Sequence, residues 1–195
     1  MKYLHHTATK TAAGPATGRA RASGFTLIEL MVVIGITGVV LAICIPSFKS
    51  VTQLNRISSE VNAFVGDLQF ARSEAIRRGT PVSICPSSNG TTCLTTNTWH
   101  KGWIVFNDDN ATGTPDVSSD KPLRVQSAWT SPDTFVASPS AVALTYSRDG
   151  FMTSLTGSVT LKIQTTPVDN SATKCVAVTL VGRQSVLAKG SGTCT

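Results

Sequence analysis

The chain has 195 residues, of which 17 are basic and 11 acidic, giving a formal net charge of +6. Its length leaves room for one globular domain and an anchor helix. Four of the 17 basic residues lie in the first 24 positions, which hold no acidic residue, so the rest of the chain carries 13 basic and 11 acidic residues, a net charge of +2. The overall charge is therefore no indication of a nucleic-acid partner.

Residues 1–24 are predicted to be a leader. They are rich in alanine, threonine, glycine and basic side chains and show no apolar periodicity. His5 and His6 lie in this segment and are poor candidates for catalysis.

The apolar run at 25–48 is predicted to span a membrane. It contains a single ionisable side chain, Glu29, and as a helix it would be about 36 Å long, against a hydrocarbon core of about 30 Å. Because positive charge before such a helix stays in the cytoplasm, we expect the remainder of the chain on the other side. Cys44 lies within the run, where we expect it to pack as a small hydrophobe.

Residues 49–80 are predicted to continue the same helix as an amphipathic segment. Pro46, near the end of the apolar run, is predicted to kink the helix. Polar and charged side chains, such as Arg56, Glu60, Asp67 and Glu74, occupy the other face. Steps of three and four residues define an apolar stripe for core packing: Leu54, Ile57, Val61, Phe64, Leu68, Ala71 and Ala75.

Residues 81–195 are predicted to form a β-rich head, which makes the fold α+β, with a long N-terminal helix packed on antiparallel strands. The linkers at 107–121 and 127–141 are expected to be exposed loops. Short runs rich in β-branched residues predict strands at 82–85, 103–106, 123–125, 142–146, 158–163 and 175–180.

Four cysteines remain outside the apolar run, and in an oxidising compartment they can pair in three ways. Proximity in sequence favours Cys85 with Cys93 and Cys175 with Cys194. Zinc binding is not expected, because neither pair has CxxC spacing and His100 is the only histidine after the leader.

No other metal site, cofactor or catalytic centre is expected. The oxygen-rich loop around Asp108 and Asp109, which includes Asn107, Asn110 and Asp116, does not have EF-hand spacing and is interpreted as an ordinary exposed turn. A hydrolase would need His100 beside a nucleophile and a carboxylate, but no nucleophile elbow or Cys–His signature is present.

The sequence Gly24-Phe25-Thr26-Leu27-Ile28-Glu29, followed by the apolar run and Pro46, resembles the processing signal of type IV prepilins and type II secretion pseudopilins. The resemblance implies that a prepilin peptidase cleaves between Gly24 and Phe25 and that the new Phe25 amine is methylated. It also implies that Glu29 of one subunit pairs with the Phe25 amine of another during assembly.

A second resemblance runs from Leu68 through Trp103 to Gly182 and Arg183, and it is to the GspH/FimT branch of minor pilins and pseudopilins. It implies a low-abundance subunit of a type IV pilus or, alternatively, of a type II secretion pseudopilus. The expected partners are other pilins through the N-terminal helix, the prepilin peptidase and the inner membrane. The subunit would cross that membrane once, with a periplasmic head, before it enters the filament. A plain anchored domain that never polymerises would instead keep its leader.

The resemblance leaves DNA binding open as a second function, because FimT-type pilins are associated with DNA binding in natural transformation through a basic Gly-Arg-x-Arg segment. The alternative, which the low charge after the leader favours, is that this segment is a solvated strand end. In this chain the segment reads Gly182-Arg183-Gln184-Ser185, so the second arginine is absent. Lys174 and Lys189 could replace its charge if they share a face with Arg183. A structural subunit and a DNA-binding subunit therefore both stay open.

Replacing Gly24 by alanine is expected to slow or block cleavage, leaving the 24-residue leader attached and the subunit unassembled. Intact-mass measurement and N-terminal sequencing of the membrane form would show this, with Gly18→Ala inside the leader as the control. A Gly24 variant with a large side chain that still gave a chain beginning at Phe25 would contradict the prepilin interpretation.

Overall fold

The computed structural model describes residues 24–115 and 120–195, and within this range the side chains of residues 45–47 are not described. Residues 1–23 of the predicted leader and Asp116 therefore lie outside the described residues, as does the side chain of Pro46. The structure divides into one unit that ends at Ile43 and a second that begins at Cys44.

One helix, α1 (Leu27–Arg78), crosses from the first unit into the second. At its start the Oγ1 atom of Thr26 accepts the Glu29 backbone N–H at 3.2 Å, so Thr26 is the N-cap of the helix. At its end Gly79 has a positive φ of 71° and donates its N–H to the Ala75 carbonyl. Glycine adopts this left-handed geometry without steric cost, so the helix ends where Gly79-Thr80-Pro81 predicts it.

In the first unit, α1 is apolar and uncovered. All of its side chains from Leu27 to Ile43 are exposed, and the helix contains a segment that is long and apolar enough to cross a membrane by length and composition. The predicted kink at Pro46 stays a prediction.

The second unit contains two four-stranded antiparallel sheets, with strand orders β3-β2-β1-β5 and β4-β6-β7-β8. A short 3₁₀ helix, Trp99–Lys101, precedes β2. The predicted fold class, a long helix packed on antiparallel sheets, is therefore confirmed. The strands are β1 (Val82–Pro86), β2 (Gly102–Asn107), β3 (Pro122–Ser127), β4 (Thr134–Ser138), β5 (Leu144–Tyr146), β6 (Val159–Gln164), β7 (Lys174–Val178) and β8 (Gln184–Ala188).

Two strands were not predicted, and the expectation that 127–141 is an exposed loop was wrong. That segment contains β4, which pairs with β6 and buries Phe135 and Ala137. The run is only five residues long between serines and prolines, so its strand character depends on the pairing. The same holds for β8, an edge strand whose described backbone pairs only with β7.

The apolar stripe of α1 forms the centre of the head, as predicted. From Ile57 to Ala75 its members are at most 1% exposed. The Phe64 ring makes edge contacts with Trp99, Trp103 and Phe135 at centroid distances of 5.4, 5.2 and 4.8 Å. Burial of each such side chain contributes about 1.5–3 kcal/mol of transfer free energy.

Charged residues assigned to the opposite face of α1 instead flank the stripe and contact the head. The Asp67 carboxylate accepts the Trp103 indole N–H at 2.8 Å and an Arg124 N–H at 3.0 Å. Arg56 donates two hydrogen bonds to Asp133, at 2.7 and 2.8 Å. These partners come from distant parts of the chain, which is why the helical pattern alone did not reveal them.

Two disulfides join Cys85 to Cys93 and Cys175 to Cys194, the pairing that proximity in sequence favoured. The bridged residues are separated by 8 and 19 positions, so loop closure contributes about 2.5 and about 3 kcal/mol in the chain-entropy model.

Glu60 is the carboxyl group of α1 whose burial has a pH consequence. Its Oε1 accepts the Ser131 hydroxyl at 3.1 Å, whereas its Oε2 is buried without a hydrogen-bond partner. Burial raises the pKa of Glu60 to about 7, and nearby Asp133 raises it further against the opposing effects of Ser131 and Arg56. Protonated Glu60 is therefore the form that the folded head prefers.

We expect Glu60→Gln to remove part of the pH dependence of stability. Because the folded pKa lies above the unfolded value, the contribution of Glu60 is complete below about pH 4.5 and is lost as pH rises through about 7. At about pH 8 the variant should be more stable than the wild type by roughly 2 kcal/mol, allowing for partial screening by solvent. Urea unfolding of the full chain in detergent, followed by tryptophan fluorescence, measures this. Asp149→Asn is the exposed control, and equal pH profiles for wild type and Glu60→Gln would contradict it.

Candidate functional site

The segment that carries the processing signal is accessible. Gly24 and Phe25 precede α1, and the Phe25 side chain is 86% exposed. A Cβ added to Gly24 would meet no atom within 4 Å. The folded chain therefore gives no packing reason for glycine at this position, and a requirement for it would come from an enzyme that binds the segment.

Glu29 is the only ionisable residue among residues 27–43 of α1, and its side chain is exposed along with its apolar neighbours. A carboxylate surrounded by apolar side chains is costly to place in lipid unless a cation pairs with it. The first turn of α1 thus combines an apolar surface with an acid that needs a partner.

The structure separates the three residues considered for DNA binding. Arg183 is exposed at the start of β8, where the turn from β7 ends. Lys189 follows the far end of β8, about 20 Å away at the usual strand rise. Lys174 pairs with Ala188 at that same far end, and its ammonium donates to the Ser58 hydroxyl of α1 at 2.9 Å. The expectation that these lysines supplement Arg183 is therefore not supported by their positions.

Two distant segments that each carry an arginine meet the turn that precedes Arg183, which the sequence did not reveal. The guanidinium of Arg72 on α1 donates to the carbonyls of Val181 and Gly182, each at 3.2 Å. The turn containing Arg148 and Gly150 lies beside Gly182, because a Cβ built on Gly182 would collide with the Gly150 carbonyl oxygen. The sequence separation of these segments, from 72 to 183, hides their proximity.

Gly182 is required by the shape of this turn. Its φ is 74°, and a Cβ there would lie 3.2 Å from the Tyr146 ring and 3.3 Å from Arg72 Nε, besides colliding with the Gly150 carbonyl. Two residues further on, Gln184 donates to the buried Tyr146 hydroxyl at 2.6 Å, and burial raises the pKa of Tyr146 to about 12. The Gly-Arg pair is thus a rigid turn that presents Arg183 to solvent.

The acidic loop is only partly the exposed turn that the sequence predicted. Asp109 and Asn110 are exposed, but Asp108 is fully buried. The Asp108 carboxylate accepts the Ser83 hydroxyl at 2.5 Å and the backbone N–H of Gly113 at 2.8 Å. Its oxygens therefore hold the loop onto β1.

Among residues 24–115 and 120–195, no three His, Cys, Asp or Glu side chains come together as a metal site requires. His100 Nδ1 accepts the backbone N–H of Phe135 at 3.3 Å. His100 thus bonds to the backbone of β4, whereas Asp108 bonds to Ser83 and Gly113. The hydrogen bonds found for these two residues therefore do not join them to each other.

Two family models match this chain. The family model described as type II transport protein GspH matches residues 60–182, well over half of the sequence, and the prokaryotic N-terminal methylation motif matches residues 19–45. Arg183 lies one position beyond the first match.

Three solved structures are similar at low identity. The type IV minor pilin FimU of Pseudomonas aeruginosa, in its P21 crystal form, is 22% identical with a TM-score of 0.52, over 72% of this chain and 92% of FimU. The P65 crystal form of FimU is 21% identical with a TM-score of 0.49, over 68% of this chain and 91% of FimU. The minor pseudopilin EpsH from the Type 2 Secretion System of Vibrio cholerae is 16% identical with a TM-score of 0.45, over 68% of this chain and 97% of EpsH. At these identities the likeness concerns the fold alone.

Gly182→Ala is expected to destabilise the head by about 2 kcal/mol or more, since it combines a left-handed backbone with a collision against a carbonyl group. Gly157→Ala is the matched control, because a Cβ there would meet no atom within 4 Å. Urea unfolding of both variants measures the difference. Equal unfolding midpoints for the two would contradict the role assigned to Gly182.

Proposed function

Since the chain belongs to the GspH family of minor pilins and pseudopilins and carries the N-terminal methylation motif, we propose that it is a minor pilin of a type IV pilus. Membership implies processing by a prepilin peptidase, membrane anchoring and assembly with other pilins. In the proposal, cleavage falls between Gly24 and Phe25, Phe25 is methylated, and the head is periplasmic before assembly.

The observation that carries assembly is the uncovered start of α1. Lipid can cover the apolar side chains from Leu27 to Ile43, which are exposed, but its hydrocarbon supplies no cation to pair with the Glu29 carboxylate. Cleavage ahead of Phe25 would create an ammonium group four residues away in sequence, and the helix of a neighbouring subunit could bring its own ammonium to Glu29. A charge pair of this kind is worth most where lipid or protein excludes water.

The pilus is preferred to the type II secretion pseudopilus because of the Gly182-Arg183 turn and the paired cysteines, which are the features that resemble the pilus branch. A pseudopilin role is the alternative. Deleting the gene and measuring both surface pili and secreted proteins separates the two. Loss of secretion with normal pili would favour the pseudopilin.

We expect Glu29→Gln to leave cleavage and membrane insertion intact but to lower the amount of the chain in sheared filaments about tenfold, because the Phe25 amine of a neighbour loses its charged partner. Thr37→Val is the control in the same helix, since the Thr37 hydroxyl bonds only to the Val33 carbonyl. Filament fractions would be compared with membrane fractions by immunoblot. A Glu29→Gln subunit that assembles like the wild type would exclude this pairing.

DNA binding is the second candidate function, favoured by the exposure of Arg183 and by Arg72, which lies against the turn that precedes it. Arg72 already donates to two carbonyls, so few cations remain for phosphate contacts, and counterion release from few contacts gives weak binding. For this reason the structural role is preferred.

The DNA alternative predicts weak binding that salt reduces and that Ser185→Arg strengthens. Ser185 lies in β8 and Arg183 directly precedes that strand, and a spacing of two residues is the one that places side chains on the same face of an extended chain. Arg183→Ala should lower the salt slope by about one unit. The processed full chain in detergent would be titrated with duplex DNA at two salt concentrations, with Lys189→Ala as the control. Binding indifferent to both Arg183→Ala and Ser185→Arg would exclude this surface as the DNA site.

A further inference from the structure

A group of large apolar side chains is exposed where the last turns of α1 meet two turns of the head. Ile76, Phe151, Leu180 and Val181 are 54, 52, 42 and 55% exposed. Scattered exposed hydrophobes are ordinary on protein surfaces, but a contiguous group rimmed by polar residues indicates a binding surface.

Backbone contacts show that these side chains belong to one surface. The Met152 N–H donates to the Leu180 carbonyl at 2.8 Å, which joins the turns at 147–151 and 179–183. A Cβ on Gly150 would lie 3.0 Å from Ile76 Cδ1, so the first turn also rests on α1. Arg72 links the helix to the second turn through the Val181 and Gly182 carbonyls.

The rim of this surface is basic. Residues 72–78, 147–151 and 179–183 together contain five arginines and two acidic residues. The Glu74 carboxylate forms ion pairs with Arg77 and Arg78, at N–O distances of 2.6 and 2.7 Å. Asp149 and Arg148 form a looser ion pair, with an N–O distance of 3.8 Å. Arg183 is exposed, and it makes no ion pair among those found in the described part of the chain.

We infer that Ile76, Phe151, Leu180 and Val181, rimmed by Arg148 and Arg183, form a docking surface for the head of a different filament subunit that presents an apolar side chain flanked by carboxylates. The inference extends the proposed function, since it assigns a head-to-head contact in addition to the helix contacts. We call this surface the arginine-rimmed patch.

A second copy of the chain does not fit the patch. Contact between two copies about a two-fold axis would bring the same patch to itself, and the excess of arginines would face an equal excess. Like charges across an interface select against such a pair, whereas an acidic rim on the partner would attract it.

Neither a membrane surface nor nucleic acid fits as well as a protein. Ile76 lies 28 residues beyond Phe48, the last residue of the apolar run, which is about 42 Å along a straight helix. Interfaces with nucleic acid are strongly cationic and polar. The patch instead centres on four apolar side chains, as the core of a protein interface does.

The test places a photo-crosslinking phenylalanine analogue at Phe151 of the full chain in cells that assemble the filament. Val168, which is 63% exposed and outside the patch, is the control position. We expect an adduct with one other filament subunit from position 151 and none from position 168. Mass spectrometry of the adduct should identify a partner peptide with acidic residues beside an apolar one.

Charge reversal makes the test specific. Arg183→Glu should reduce the adduct from position 151 about tenfold, as for a residue important in an interface. Reversing the acidic residue of the partner to arginine should restore it. Lys189→Glu, at the other end of β8, is the matched control and should leave the adduct unchanged.

Several results would overturn the inference. They are an adduct between two copies of the chain, a nuclease-sensitive adduct, equal yields from positions 151 and 168, no adduct in assembled filaments, or an adduct indifferent to Arg183→Glu. The Phe25 N-terminus and the filament content are measured in the same cells. A chain absent from filaments contradicts the proposed function, whereas a chain that assembles without the adduct contradicts only the patch.

Discussion

The head depends on the burial of one face of α1. The described strands form two sheets without a shared strand, and the face of α1 centred on Phe64 contacts residues of both. Trp103 belongs to β2 in the first sheet and Phe135 to β4 in the second, and each packs its ring edge to face against Phe64. Packing against α1 therefore adds contacts that both sheets share, besides the direct contact of Trp103 with Phe135.

Charged contacts beside this apolar face fix the position of the helix. Asp67 is bound by Trp103 and Arg124 of the first sheet, and Arg56 by Asp133, just before β4 of the second. Apolar packing alone is tolerant of small shifts along a helix. A buried carboxylate does not tolerate such shifts, because displacement of its partner leaves an unpaired buried charge that destabilises the fold. The two pairs thus specify one register between α1 and the head.

The regions that carry function are those that the fold leaves unsatisfied. The start of α1 exposes an apolar surface with Glu29 in it, and the turns at 147–151 and 179–183 expose apolar side chains beside arginines. Both are costly in water for an isolated chain, and both become favourable when another subunit covers them. This is the arrangement expected of a protein that works as one member of an assembly.

The sequence by itself determined the features that depend on neighbours along the chain. These are the N-terminal methylation motif, the apolar run within it, and the stripe through Phe64, because helical periodicity and a local motif need no long-range contact to be visible. The tertiary structure alone decided β4 and β8, the burial of Asp108, the separation of Lys174 from Arg183, and the approach of Arg72 and Gly150 to the turn that precedes Arg183. Each of these results from strand pairing or packing between distant segments, whose free energy is absent from any local window of sequence.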